Sequence, residues 1–244
     1  MNSTVTSERV VVATGRAVRE RKIIRRLWIG LILLCLIGAA AATRRIVALA
    51  SAPVASGSPA AGLDREFAAE AQLTLLHIVP SLLFVLLVPL QFVSRLRRQY
   101  PRVHRWTGRV IVVLGAVLGL AALRLSAHPV GGPVEASATT LFGVCFLFCL
   151  GKAWLHIRNR RVALHREWAI RMTAIALGVA TTRPVMAVFF ATSRLTGLTP
   201  QQFFGPAMWI GFVSTYVAGE AWIRRSRNHQ ALAAVTVPSS LRRS

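Results

Sequence analysis

The chain has 244 residues, of which 54% are hydrophobic and 16% charged. That is too apolar for one soluble domain of ordinary composition. The formal charge of +22, from 30 basic and 8 acidic residues, would indicate a nucleic-acid surface in a soluble protein. Here the basic residues fall in short clusters between apolar runs, so membrane topology explains them and no nucleic-acid partner is expected.

A membrane span needs about 20 apolar residues, and six segments qualify. Residues 1–26 form a basic N-terminal segment. The first span covers 27–43 and can continue past Arg44 and Arg45. A competing reading of this region is a secretory signal, given the basic stretch, the apolar stretch and the run Ala39-Ala40-Ala41-Ala42. Residues 51–62, rich in Ala, Ser, Pro and Gly, read as an irregular external loop, and 64–71 as a short amphipathic entry to the next helix. The second span covers 71–93, the third 107–126, the fourth 135–157, the fifth 167–192 and the sixth 204–223. Residues 224–244 read as a flexible tail. The expected fold is therefore an all-α, polytopic six-helix transmembrane bundle over 27–223.

The positions of Lys and Arg orient it. The first 26 residues hold seven, the link between the second and third spans six, the link between the fourth and fifth six, and the tail five. The other side holds only Arg44, Arg45, Arg65 and Arg194. This asymmetry places both termini in the cytoplasm and supports an even number of spans, in a bacterial inner (plasma) membrane whose bilayer is the first partner.

The third and fifth spans open alike, with His104-Arg105-Trp106 and Arg109 in one, and His165-Arg166-Glu167-Trp168 and Arg171 in the other. Each follows an inward-running helix and a basic loop. Two parallel hairpin repeats would give a four-helix core with the first and last helices peripheral; chance similarity at membrane boundaries is the competing explanation. Cys35, Cys145 and Cys149 all lie in apolar runs and indicate no disulfide framework.

Charged groups within apolar runs are costly, at least about 2.5–3.5 kcal/mol at the bilayer centre, and so mark protein interiors. Arg124 and Arg183 lie in such runs, and His77 interrupts a third. At about 1.5 Å per residue all three reach a similar level in the outer half of the membrane. Pro80 and Pro184 lie beside His77 and Arg183, and each bends its helix and frees a carbonyl. These features predict an outward polar cavity of His77, Arg124 and Arg183 for a small anionic ligand, since a guanidinium fork matches carboxylate or phosphate. Glu135 opens the fourth span and joins the candidate site as a potential partner of either arginine. The competing reading is a purely structural polar lock among these same residues.

Two alternatives to ligand binding stay open. His104 and His165 share a depth near the cytoplasmic boundary, so they are candidate axial ligands for haem b in an electron-transfer protein. A structural or accessory membrane protein without ligand is the other. Gln91, Lys152 and Glu220 read as a cytoplasmic charge collar, with Glu220 placed to pair with Lys152 or Arg224. Trp106, Trp154, Trp168 and Trp222 form an aromatic belt at the same boundary. No dinucleotide-binding, Walker or HExxH motif is present, so no catalytic residue is assigned.

From His77 to Arg183 the chain resembles the DUF2306 family of predicted bacterial membrane proteins. The resemblance rests on His77 and Gln91, then Arg97-Arg98 and His104-Arg105-Trp106-Thr107-Gly108-Arg109. It continues with Trp154, His165-Arg166-Glu167-Trp168-Ala169-Ile170-Arg171, and Arg183. It implies a membrane protein in which His77 and Arg183 matter. It implies no activity, and the long basic N-terminus departs from the family's usual form.

Overall fold

A computed structural model describes residues 2–51 and 61–236, with side-chain surroundings for 18–51 and 62–228. The described residues form eight helices: α1 (Asn2–Ala50), α2 (Ala61–Ala69), α3 (Ala71–Phe92), α4 (Ser94–Gln99), α5 (Pro101–Leu125), α6 (Gly132–Arg158), α7 (Val162–Thr196) and α8 (Pro200–Thr236). Five are long and apolar enough to cross a membrane: α1 from Val18 to Ala50, α3, α5, α6 and α7. α8 is long enough but less apolar, because Ser214, Thr215, Tyr216 and Glu220 interrupt its run. Against the expected six spans, five helices qualify by length and composition among the described residues.

Leu36, Leu86, Val113, Phe148 and Val188 are each more than half exposed. Large apolar side chains bare on so many helices suit a lipid surround, not water. The interior is formed differently. α1 packs on α3 and α7, α3 on α5, α5 on α6, and α6 on α7, so these five helices close into a ring. α8 lies along α6 and α7.

The α7–α8 crossing depends on glycine. A Cβ on Gly211 would lie 2.6 Å from the Gly178 carbonyl oxygen and 2.9 Å from the Thr182 amide. A Cβ on Gly178 would lie 2.8 Å from Cα of Phe212. Without side chains at these two positions the backbones approach closely, the small-residue packing that replaces hydrophobic drive between helices in lipid. A stacked pair, Phe142 on α6 and Phe212 on α8 with ring centres 4.6 Å apart, joins the same region.

At the end of the bundle carrying α4, charge pairs tie α7 to α8. Arg171 pairs with Glu220, its Nη2 donating to Oε2 at 3.2 Å. Arg227 Nε donates to Glu167 Oε1 at 2.6 Å. Glu220 therefore takes Arg171 as its partner and not Lys152 or Arg224, because α8 runs antiparallel to α7 and faces it. The guanidinium groups of Arg109, Arg158 and Arg171 lie over the rings of Trp106, Trp154 and Trp168.

Several expected boundaries move. α1 runs on through Arg44 and Arg45 to Ala50, and α8 continues to Thr236, past the expected end at 223. The rest of the tail, and most of the expected loop at 51–62, lie outside the described residues. The two hairpins expected to be copies differ at their turns: α4 intervenes between α3 and α5, whereas α6 meets α7 through a tight turn with Arg160 at φ 57°.

Candidate functional site

Arg44 and Arg45 survive inside an apolar helix because α2 brings Asp64 to them. Arg44 Nη2 donates to Asp64 Oδ2 at 2.9 Å, and Arg45 bonds the other carboxylate oxygen. The Arg45 guanidinium also sits 4.1 Å from the centre of the Phe67 ring, a cation–π contact. Arg45 and Asp64 are buried, while Arg44 is half exposed. This clamp fixes α2 across one end of the ring, helped by the Thr74 hydroxyl donating to the Phe67 carbonyl at 3.1 Å.

Beneath α2 the ring surrounds a partly open cavity of about 430 Å³. That lies in the range of small-molecule sites, which are apolar with a few placed polar groups. Every helix except α4 contributes to its wall. The polar lining includes Arg45, Thr74, His77, Glu135, Thr139 and Arg183. Phe84, Phe142, Phe146 and Phe212 make much of the apolar wall.

Three of the four expected site residues thus meet in one chamber. His77 Nδ1 lies 2.9 Å from the Leu118 carbonyl oxygen on α5. A carbonyl only accepts, so Nδ1 carries the proton and Nε2 is left as the second ring atom. It makes no hydrogen bond among the described residues. Glu135, in the first turn of α6, is buried and accepts the Gly131 amide at 2.6 Å. Gly205 of α8 holds that turn close, since a Cβ there would be 2.7 Å from the Glu135 amide. Arg183 is only partly buried, and it lines the cavity. Its Nε is fully buried with no hydrogen-bond partner, and the guanidinium makes no ion pair among the described residues. Thr139 Oγ1, one turn beyond Glu135, is a second buried polar atom without a partner on the same wall.

Arg124 does not join them. It is exposed on α5 and absent from the lining, which α5 supplies with Leu118, Gly119, Ala122 and Leu125. Arg124 was placed by depth, and direction around the helix excludes it. At about 100° per residue, position 124 points roughly 120° from the face shared by 118, 122 and 125. Nor does Glu135 pair with either arginine; the Gly131 amide takes its place.

The histidines at the other end are not brought to the cavity. His165 Nδ1 lies 2.8 Å from the Ala153 carbonyl oxygen, and His104 Nδ1 is buried without a partner. Neither lines the 430 Å³ chamber, so the candidate haem ligands lie apart from this cavity. Among the described residues no three His, Cys, Asp or Glu side chains are grouped to hold a metal ion.

Sequence reasoning missed Arg45, Thr139, the α2 carboxylate Glu66 and Glu70 in the turn between α2 and α3, which also line the cavity. His128, expected as a solvated loop residue, is half exposed, lies 4.0 Å from Glu70 and reaches the lining. For Arg45 the signal existed: an arginine pair continuing an apolar helix, followed by a lone aspartate in an amphipathic turn.

A ring of apolar-faced helices around a cavity with buried polar groups defines a polytopic membrane protein. A family model described as "Predicted membrane protein (DUF2306)" matches residues 74–223, which spans α3 to α8 and carries His77, Glu135 and Arg183. The chain belongs to this family. No curated protein and no solved structure matches it.

Proposed function

We propose that this protein binds a small anionic ligand in the chamber beneath α2, with Arg183 as its anchor, as the binding step of a receptor or transporter. The observation that carries this reading is the buried, unpartnered Nε of Arg183 in the wall of a 430 Å³ cavity. A guanidinium N–H withdrawn from water without a partner is costly. An anion with two acceptor oxygens removes that cost and matches the fork. A purely structural lock needs the polar residues to pair with one another, and no ion pair joins His77, Glu135 and Arg183 among the described residues.

In this reading the end of the bundle carrying α2 faces outward, and α4, the α6–α7 turn and both termini face the cytoplasm of a bacterial inner membrane. The basic clusters at Arg95–Arg109 and Arg158–Arg166 support that orientation. α8 serves as a sixth span, supported by its packing along α6 and α7 from Phe203 to Ile223.

Thermal unfolding of the protein in lipid nanodiscs tests the proposal, with 4-methylpentanoate, 3-phenylpropanoate and inorganic phosphate as probes. At least one stabilises the wild-type protein, by about 2.7 kcal/mol at a concentration a hundred times its Kd. The stabilisation is lost in Arg183→Gln. Equal stabilisation of Arg183→Gln, or none of the wild type, rejects the reading.

A further inference from the structure

The wall of the cavity carries a group of each sign, and the two form no ion pair with each other. Arg183 presents a guanidinium with an unsatisfied Nε. Glu135 presents a buried carboxylate held by backbone amides at the start of α6, that of Gly131 at 2.6 Å and that of Val130. A carboxylate has about four acceptor positions, so part of its capacity is open. Neither residue forms an ion pair among the described residues. The other charged groups on the lining are accounted for: Arg45 is held by Asp64, Glu66 is exposed, and Glu70 is half exposed and faces His128.

We propose that the ligand is a zwitterion with an apolar body, an α-amino acid with an aliphatic or aromatic side chain. This rests on the anion-binding reading and sharpens it. The carboxylate sits on Arg183. The ammonium is received by Glu135, with Nε2 of His77 as a further acceptor. The side chain lies against Phe84, Phe142, Phe146 and Phe212.

Charge decides between this ligand and a simple anion. An anion alone satisfies Arg183 but brings no donor to the open acceptor positions of Glu135. A cation alone does the reverse to Arg183. A molecule carrying both signs, neutral as a whole, completes both groups. Thr139 Oγ1, partnerless one helical turn from Glu135, gives a neutral hydroxyl on the same wall that can donate to or accept from either ligand group. The aromatic wall excludes sugars and other polyols, which would bury hydroxyls without partners.

Two series of probes with constant apolar bodies test this by calorimetric titration into nanodiscs. One is leucine, 4-methylpentanoate and 3-methylbutylamine; the other is phenylalanine, 3-phenylpropanoate and 2-phenylethylamine. In at least one series the amino acid binds about tenfold or more tightly than both analogues, as expected for losing one charge-assisted contact. In Glu135→Gln that preference over the carboxylate analogue disappears. If the carboxylate analogue binds the wild type as tightly as the amino acid, the zwitterion proposal is overturned while anion binding stands. The zwitterion is likewise excluded if phosphate or a carboxylate binds through Arg183 and neither amino acid does. If nothing binds, or binding survives Arg183→Gln, both fall. The wild-type comparison decides the matter even if Glu135→Gln does not fold.

Discussion

Asp64→Asn is expected to do far more damage than its position in a nine-residue helix suggests. The substitution keeps the shape of the side chain and removes the charge that Arg44 and Arg45 share. Their surroundings differ: the Arg44 side chain is 54% exposed and the Arg45 side chain 9%. Water therefore takes over from Asp64 at Arg44 but not at Arg45. Breaking a buried pair from one side costs about 3–5 kcal/mol. The ring of Phe67, 4.1 Å from the Arg45 guanidinium, keeps part of the stabilisation. About 3 kcal/mol is therefore the expected loss, more than a hundredfold in the unfolding equilibrium. Reversible unfolding in mixed dodecyl maltoside and SDS micelles, followed by tryptophan fluorescence, measures it. Arg44→Gln should cost under about 1 kcal/mol, as exposed pairs do. Arg45→Met with Asp64→Leu should recover most of the loss, because removing both charges leaves nothing buried and unpaired. If Asp64→Asn costs no more than Arg44→Gln, or the double variant recovers nothing, α2 is not held by a buried charge pair.

Gly211→Leu forces α7 and α8 apart and should cost about 1–3 kcal/mol as overpacking in the same unfolding assay. Gly151→Ala, where an added Cβ meets nothing within 4 Å, should be neutral or slightly stabilising. Arg124→Gln should leave probe-induced stabilisation unchanged, since Arg124 is exposed and off the cavity wall; a loss there would return Arg124 to the site. For topology, His128→Cys should react with a membrane-impermeant maleimide added to intact cells, and Arg160→Cys only after lysis. The reverse pattern would invert the orientation.

What the sequence made legible follows from what each signal encodes. Apolar runs interrupted by basic clusters encode helices and their ends, so α3, α5, α6 and α7 lie close to expectation. Depth along a helix is encoded by counting residues, and it brings His77 and Arg183 to one chamber. Direction around the helix is encoded only relative to neighbours, and the sequence does not name the neighbours of α5; Arg124 shares the depth and faces the wrong way. Arg45 is hidden for the opposite reason. Counted as a loop residue by charge, it is carried inward by a helix that does not stop, because Asp64 arrives from 19 residues further along the chain. Glu135 is expected to meet an arginine, but a glycine amide four residues earlier lies within reach of its own side chain. α8 is less evident as a span because its polar residues sit among apolar ones; Glu220 meets Arg171 on α7 and the hydroxyls of Ser214 and Thr215 donate to carbonyls of their own helix.

The central claim is that Arg183 receives the acid group of a ligand inside the bundle. Solid-state NMR of the protein in liposomes, with 15N-labelled arginine side chains and saturating 4-methylpentanoate carrying 13C at its carboxyl carbon, observes that contact directly. The expected result is a through-space dipolar coupling between the carboxyl carbon and one guanidinium group, absent in Arg183→Gln. A coupling that persists in the variant, or no coupling in the wild-type protein, contradicts it.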